Sequence, residues 1–151
     1  MSSQRGEASA KILLLLLVCA IFGAIASPWL LRSRRSTAEE KAIATLQRIH
    51  SAQTDYFGGT RLYASMAKLS NTKLFDGPGS DVPFERDGYE FTHSNAAGWQ
   101  RWCAQAVPKA APLKLEAGTF AIDESGIVKE FPAGSSPCYA GELQSPGTPV
   151  R

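Results

Sequence analysis

The chain has 151 residues, 44% hydrophobic and 20% charged, with 16 Lys and Arg against 14 Asp and Glu for a net charge of +2. So even a balance excludes the basic surface that nucleic acid demands, and two histidines among scattered carboxylates lack metal-ligand spacing. Beyond an apolar N-terminal run, the chain is long enough for one small domain and too short for two.

The apolar run extends from Ile12 to Leu31 without a charge. At about 1.5 Å per helical residue it reaches about 30 Å, the thickness of a hydrocarbon core, which predicts a transmembrane helix over 12–31 behind a short cytoplasmic leader, 1–11. Arg5 and Lys11 precede the run and Arg32, Arg34 and Arg35 follow it, so charge leaves its orientation open. The second cluster suits anionic headgroups. Read instead as a secretory signal, the run offers Ala24-Ile25-Ala26 as a small-x-small site before Ser27. Cys19, inside the run, is an apolar filler.

Ser36-x-x-Glu39 and Thr37-x-x-Glu40 have capping-box spacing and mark a helix start. Ile43, Leu46, Ile49, Gln53, Tyr56 and Phe57 follow at steps of three and four, beside Ala42 and Ala52, predicting an amphipathic helix that ends at Gly58-Gly59. The stretch from Asn71 to Asp87, with Gly77-Pro78-Gly79 and Pro83, reads as an irregular loop. Tyr89 and Phe91, then Trp99, Trp102 and Ala104, mark two antiparallel strands about the turn Asn95-Ala96-Ala97-Gly98. Phe120 and Ile122, then Ile127, Val128 and Phe131, mark a second pair about Asp123-Glu124-Ser125-Gly126. Residues 141–151, rich in Gly, Pro and Ser, read as a disordered tail. The expected fold class is α+β: a long N-terminal helix, half transmembrane and half amphipathic, packed on a small antiparallel sheet whose other face is partly wet, with the extracytoplasmic domain over 32–140.

Chemistry finds little footing in these residues. His50 falls on the helix and His93 at a strand end, and nucleophile, phosphate-loop and metalloprotease motifs are missing. No enzyme activity, cofactor, metal or small-molecule substrate is expected. Asp123 and Glu124 read as hairpin-loop residues satisfying local backbone donors. Trp99 and Trp102, with Arg101 between, read as large members of a small core, the alternative being a platform for a carbohydrate or base. Cys103 and Cys138 permit one bridge, which would place the domain outside the cytoplasm; two buried reduced thiols are the alternative.

Arg5-Gly6 ahead of the apolar run, with Pro28 at the twenty-second residue counted from Glu7, resembles the leader of type IV pilins and type II secretion pseudopilins, in which a peptidase cuts after the glycine. Such families place phenylalanine first and glutamate four residues later, whereas this chain has Glu7 and Lys11, four apart in the favourable acid-before-base order on a helix. Ala42-x-x-x-Leu46-x-x-Ile49-x-x-Ala52-Gln53-x-x-Tyr56, then Tyr63-Ala64 with Met66 and Leu69, then Gly88 to Thr92, and the Gly118 to Val128 hairpin are similar to the successive pieces of pilin-like heads. The resemblance implies cleavage between Gly6 and Glu7, helix assembly involving Lys11 and Pro28, and a Cys103–Cys138 bridge pinning the C-terminal segment. It further implies a single-pass inner-membrane protein whose partners are the membrane and other pilin-like subunits or secretion-system proteins, its head in the periplasm or in a surface filament. The rival expectation is a membrane-anchored or signal-released periplasmic binding domain, with no filament role, that uses the aromatic strand around Trp99.

Overall fold

A computed structural model describes residues 36–109 and 117–150. The expected leader and apolar run, with Gly6, Glu7, Lys11, Pro28 and Cys19, lie outside these residues. Among the described residues no helix is long and apolar enough to cross a membrane. Residues from Thr37 onward form a compact α+β unit: helices on an antiparallel sheet.

Helix α1 occupies 36–60 of the described chain. Ala42, Leu46, Ile49, Ala52 and Gln53 are buried on one stripe, while Lys41, Gln47, Arg48 and Asp55 face water, as a 3.6-residue period requires. The helix runs through Gly58 and Gly59, which were the expected terminators. It ends instead at Arg61, a left-handed residue (φ 61°) whose N–H donates to the Phe57 carbonyl at 2.8 Å. Thr60 Oγ1 donates to Tyr56 O (2.9 Å) across the last turn. A short helix α2, Met66–Asn71, follows, capped by Ser65 and burying Met66 and Leu69.

The main sheet is a meander: β1 (Phe84–Arg86), β2 (Tyr89–Asn95), β3 (Trp102–Pro108), β4 (Thr119–Asp123) and β5 (Lys129–Phe131), each antiparallel to its neighbour, with β8 (Thr148–Pro149) added beyond β5. Strand β1 lies inside the stretch expected to be an irregular loop. Three residues carry no period, but Asp87-Gly88, both left-handed (φ 53° and 84°), make a two-residue hairpin turn that pairs Arg86 with Tyr89 and Phe84 with Phe91, a local signal. The register places Tyr89, Phe91, His93 and Asn95 on one face with Trp102, Ala104, Ala106, Phe120 and Ile122. That face shares one core with Ala42, Leu46, Ile49 and Ala52 of α1. Ala104 and Ala106 leave room for the helix to approach closely, and full burial of Leu46 and Ile49 contributes about 2 kcal/mol each.

The opposite face is partly wet, as expected: Glu85 is exposed and Glu90, Thr92 and Ser94 are half-buried. Cys103, Gln105 and Ala121 are buried there beneath the C-terminal segment, which holds the small hairpin β6 (Cys138–Tyr139) and β7 (Glu142–Leu143). The tail expected to be disordered therefore carries β7 and β8. Its order comes from the sheet beneath it: Gln105 Nε2 donates to Ser136 Oγ and Gln105 Oε1 accepts the Cys138 N–H, both at 2.9 Å, and Gly141 N–H donates to Ser94 Oγ at 3.0 Å. Cys103 and Cys138 stand at disulfide distance, with Cα atoms 5.8 Å apart.

Candidate functional site

The turn between β2 and β3 presents the most unusual residue of the head. Trp99 is 43% exposed and takes a left-handed backbone (φ 58°), a conformation costing a bulky side chain about 1–2 kcal/mol. Two backbone hydrogen bonds hold it there. Its N–H donates to Ala96 O at 3.1 Å, and its carbonyl accepts the Tyr63 N–H at 2.9 Å. The second bond ties the turn to the chain leaving α1, where Phe57 stacks on Tyr63 with centroids 4.7 Å apart. Trp102, three residues on, is fully buried between the rings of His50, His93 and Tyr63. The core expectation thus fits Trp102 and fails for Trp99, because β3 begins only at Trp102 and leaves Trp99 in the turn before it.

Trp99 and Ser65 line two adjoining concavities. One, of about 340 Å³, is walled by Tyr56, Leu62, Tyr63 and Lys68. The other, of about 490 Å³, is walled by Asp81, His93, Asn95 and the turn 96–98. Both volumes fall within the range typical of small-molecule sites.

The ground beneath them is a polar knot. Gln53, fully buried on α1, accepts the Ala64 N–H through Oε1 (2.9 Å), and its Nε2 donates to Ala64 O (2.7 Å) and to His93 Nε2 (2.9 Å). Turning the amide over would break both backbone bonds, so Nε2 of the imidazole is the acceptor and the neutral ring carries its proton on Nδ1. Burial holds the His93 pKa down at about 4, the carboxylate of Asp81 opposing the shift. Asp81 is itself fixed, its Oδ1 accepting the Ala67 N–H at 2.9 Å. Asn95 Nδ2 donates to Ala64 O at 3.3 Å, whereas Asn95 Oδ1, although buried, has no partner among the described residues.

A third concavity, of about 380 Å³, gathers Arg101, Asp123, Glu124, Lys129 and Glu142. Arg101 pairs with Glu124 (3.3 Å) and Glu142, and Lys129 with Asp123 (3.8 Å), so both cations are engaged and the three carboxylates leave one net negative charge. Asp123 also accepts the Ser125 N–H at 2.9 Å, the local hairpin role its position implied. Lys109 joins Glu85 and Glu90 across β1 and β2, and those hydrogen bonds raise its pKa.

Of the residues singled out in sequence, the structure brings Cys103 to Cys138, places His93 within β2 and sets His50 against Trp102. It does not join the two histidines into one centre, and among the described residues no group of three or more His, Cys, Asp or Glu side chains could hold a metal. Asp81, Asn95 and Tyr63 line one groove that no local spacing records, because its walls come from three separate stretches, 56–68, Asp81 and 93–99. Compared with protein-family models, curated proteins and solved structures, the chain matches none.

Proposed function

We propose that this chain is a pilin-like or pseudopilin-like structural subunit of a type IV pilus or type II secretion system, assembling through its N-terminal helix. The carrying observation is the layered head: a helical stripe on one face of an antiparallel meander, with the C-terminal segment laid over the other face beside the Cys103–Cys138 pair. Such a head offers a packing subunit two layered faces for its neighbours. A pair of cysteines at bonding distance also suits an oxidising compartment, and so the proposed location is the inner membrane with the head in the periplasm or in a surface filament.

The discriminating measurement is the mature N-terminus, by intact mass of protein isolated from its own membranes. Cleavage after Gly6, leaving Glu7 first, supports the assembly reading; a start at Met1 or Ser27 removes its basis. The exposed, strained Trp99 favours one second reading, a membrane-anchored or signal-released binding domain with no filament role, for which a Ser27 start would speak.

A further inference from the structure

We propose that the groove flanking Trp99 binds a carbohydrate, with the apolar face of a sugar ring on the Trp99 indole and its hydroxyls among Asp81, Asn95 and Ser65. The inference concerns the head alone and holds for either reading of the whole chain.

The first observation is strain kept beside exposure. A tryptophan with φ 58° survives in a turn only where the surroundings over-determine it, and two backbone hydrogen bonds do so here while leaving much of the indole in water. The exposed part of the indole gives a ligand a preset flat surface.

The second observation is the chemistry of the two walls. On one side stand Tyr56, Leu62 and Tyr63, and on the other Asp81, His93 and Asn95, with Ser65 and Trp99 common to both. The ligand that fits has an apolar face and a polar rim. A sugar ring has both, since its axial C–H bonds carry partial positive charge toward the negative face of an indole. Asp81 is an exposed anionic acceptor, and the Ser65 and Asn95 side chains line the same wall, so the rim offers acceptors to hydroxyl donors.

Other ligand classes fit less well. A phosphorylated ligand needs several cations, whereas among the described residues Lys68 is the one cation lining either concavity and Asp81 opposes it. A peptide captured through its main chain needs free backbone groups. Several of those at the rim are already engaged: Ala96 N–H with Arg101 O, Trp99 N–H with Ala96 O, Trp99 O with Tyr63 N–H, and both groups of Ala64 with Gln53. A lipid tail would leave the polar wall without partners.

The test uses the full chain in a detergent without a sugar headgroup, with maltotriose, cellotriose and triacetylchitotriose as probes. Saturation-transfer NMR is expected to show saturable binding of at least one of them, with cross-relaxation from the sugar ring protons to the Trp99 indole, a readout that needs no variant. Trp99→Ala is expected to weaken that binding by about tenfold or more, and Trp99→Phe by less. No saturation by any probe up to ~10 mM would overturn the proposal. So would saturable binding without contact to Trp99, or binding undiminished in a Trp99→Ala protein that melts like the parent.

Discussion

Gln53 and His93, forty residues apart in sequence, meet Nε2 to Nε2 at 2.9 Å and join α1 to the second strand of the sheet. The same amide closes both backbone groups of Ala64, so one buried side chain fastens three segments: the helix, the chain that leaves it and the strand below. A hydrophobic residue there could bury as well but would leave the Ala64 N–H without its partner. The knot also sets the position of the segment that bears Tyr63, and through the Tyr63–Trp99 backbone bond it supports the exposed indole.

Acid should loosen this knot before it unfolds the rest. Folded His93 takes up its proton near 4, and the ordinary value is 6.5. Between the two the unfolded chain binds the extra proton, so this group's contribution to stability is complete above 6.5, declines as pH falls, and is spent near 4. The loss is on the order of 3 kcal/mol. Urea midpoints measured from pH 7.5 to 4 are expected to fall, and His93→Gln, which keeps an acceptor for Gln53 without titrating, is expected to flatten that decline. Parallel slopes in the two proteins would refute the assignment.

Gln53→Leu is expected to destabilise the head by about 2–4 kcal/mol, because it strands the Ala64 N–H and removes the donor to His93. Gln53→Glu should be no better at neutral pH. It keeps the shape but sets a carboxylate oxygen where Nε2 donates to Ala64 O. Chemical denaturation monitored by circular dichroism would measure both, and a Gln53→Glu midpoint equal to that of the parent would mean that the amide donor is dispensable.

The stripe on α1 and the alternation of Tyr89 and Phe91 could be read from sequence because each repeats over several residues and buries on one side. The C-terminal order could not. Strands β6, β7 and β8 are two residues each, too short for any period, and a segment rich in Gly, Pro and Ser has the composition of a tail. What orders it lies far back in the chain, in the Gln105 amide and the Ser94 hydroxyl. The groove beside Trp99 escaped for the same reason. Its residues come from the end of α1, from α2, from the loop before β1 and from the β2–β3 turn, and only their assembly shows that Trp99 faces outward while Trp102 is enclosed.

Two glycines in the C-terminal segment separate backbone strain from crowding. Gly134 and Gly141 have similar left-handed angles (φ 74° and 79°), but a Cβ on Gly134 meets nothing within 4 Å, whereas one on Gly141 falls 2.1 Å from the Ala96 backbone nitrogen. Gly134→Ala is therefore expected to cost about 1 kcal/mol, the conformational penalty alone. Gly141→Ala must also push the β6–β7 hairpin off the sheet, at a cost of about 3 kcal/mol or more. Thermal melts of the two variants would compare them directly, and equal melting temperatures would mean that the hairpin does not lie against Ala96.

The Cys103–Cys138 pair closes a separation of 35 residues across β4, β5 and the segment that covers the sheet. Cross-linking a loop of that size restricts the unfolded chain by about 3–4 kcal/mol, so Cys103→Ala/Cys138→Ala is expected to lose that much stability. The loss should also be local. Gln105 and Ser94 still hold the hairpin by hydrogen bonds, but each is worth only about 1 kcal/mol net, so the segment 132–147 should open well before the α1–sheet core. Hydrogen exchange would show this as faster exchange of the Cys138 and Gly141 amides, with Phe91 and Ala104 protected as in the parent. Uniform acceleration across both layers would instead mean that the bridge supports the whole head and not its C-terminal cover.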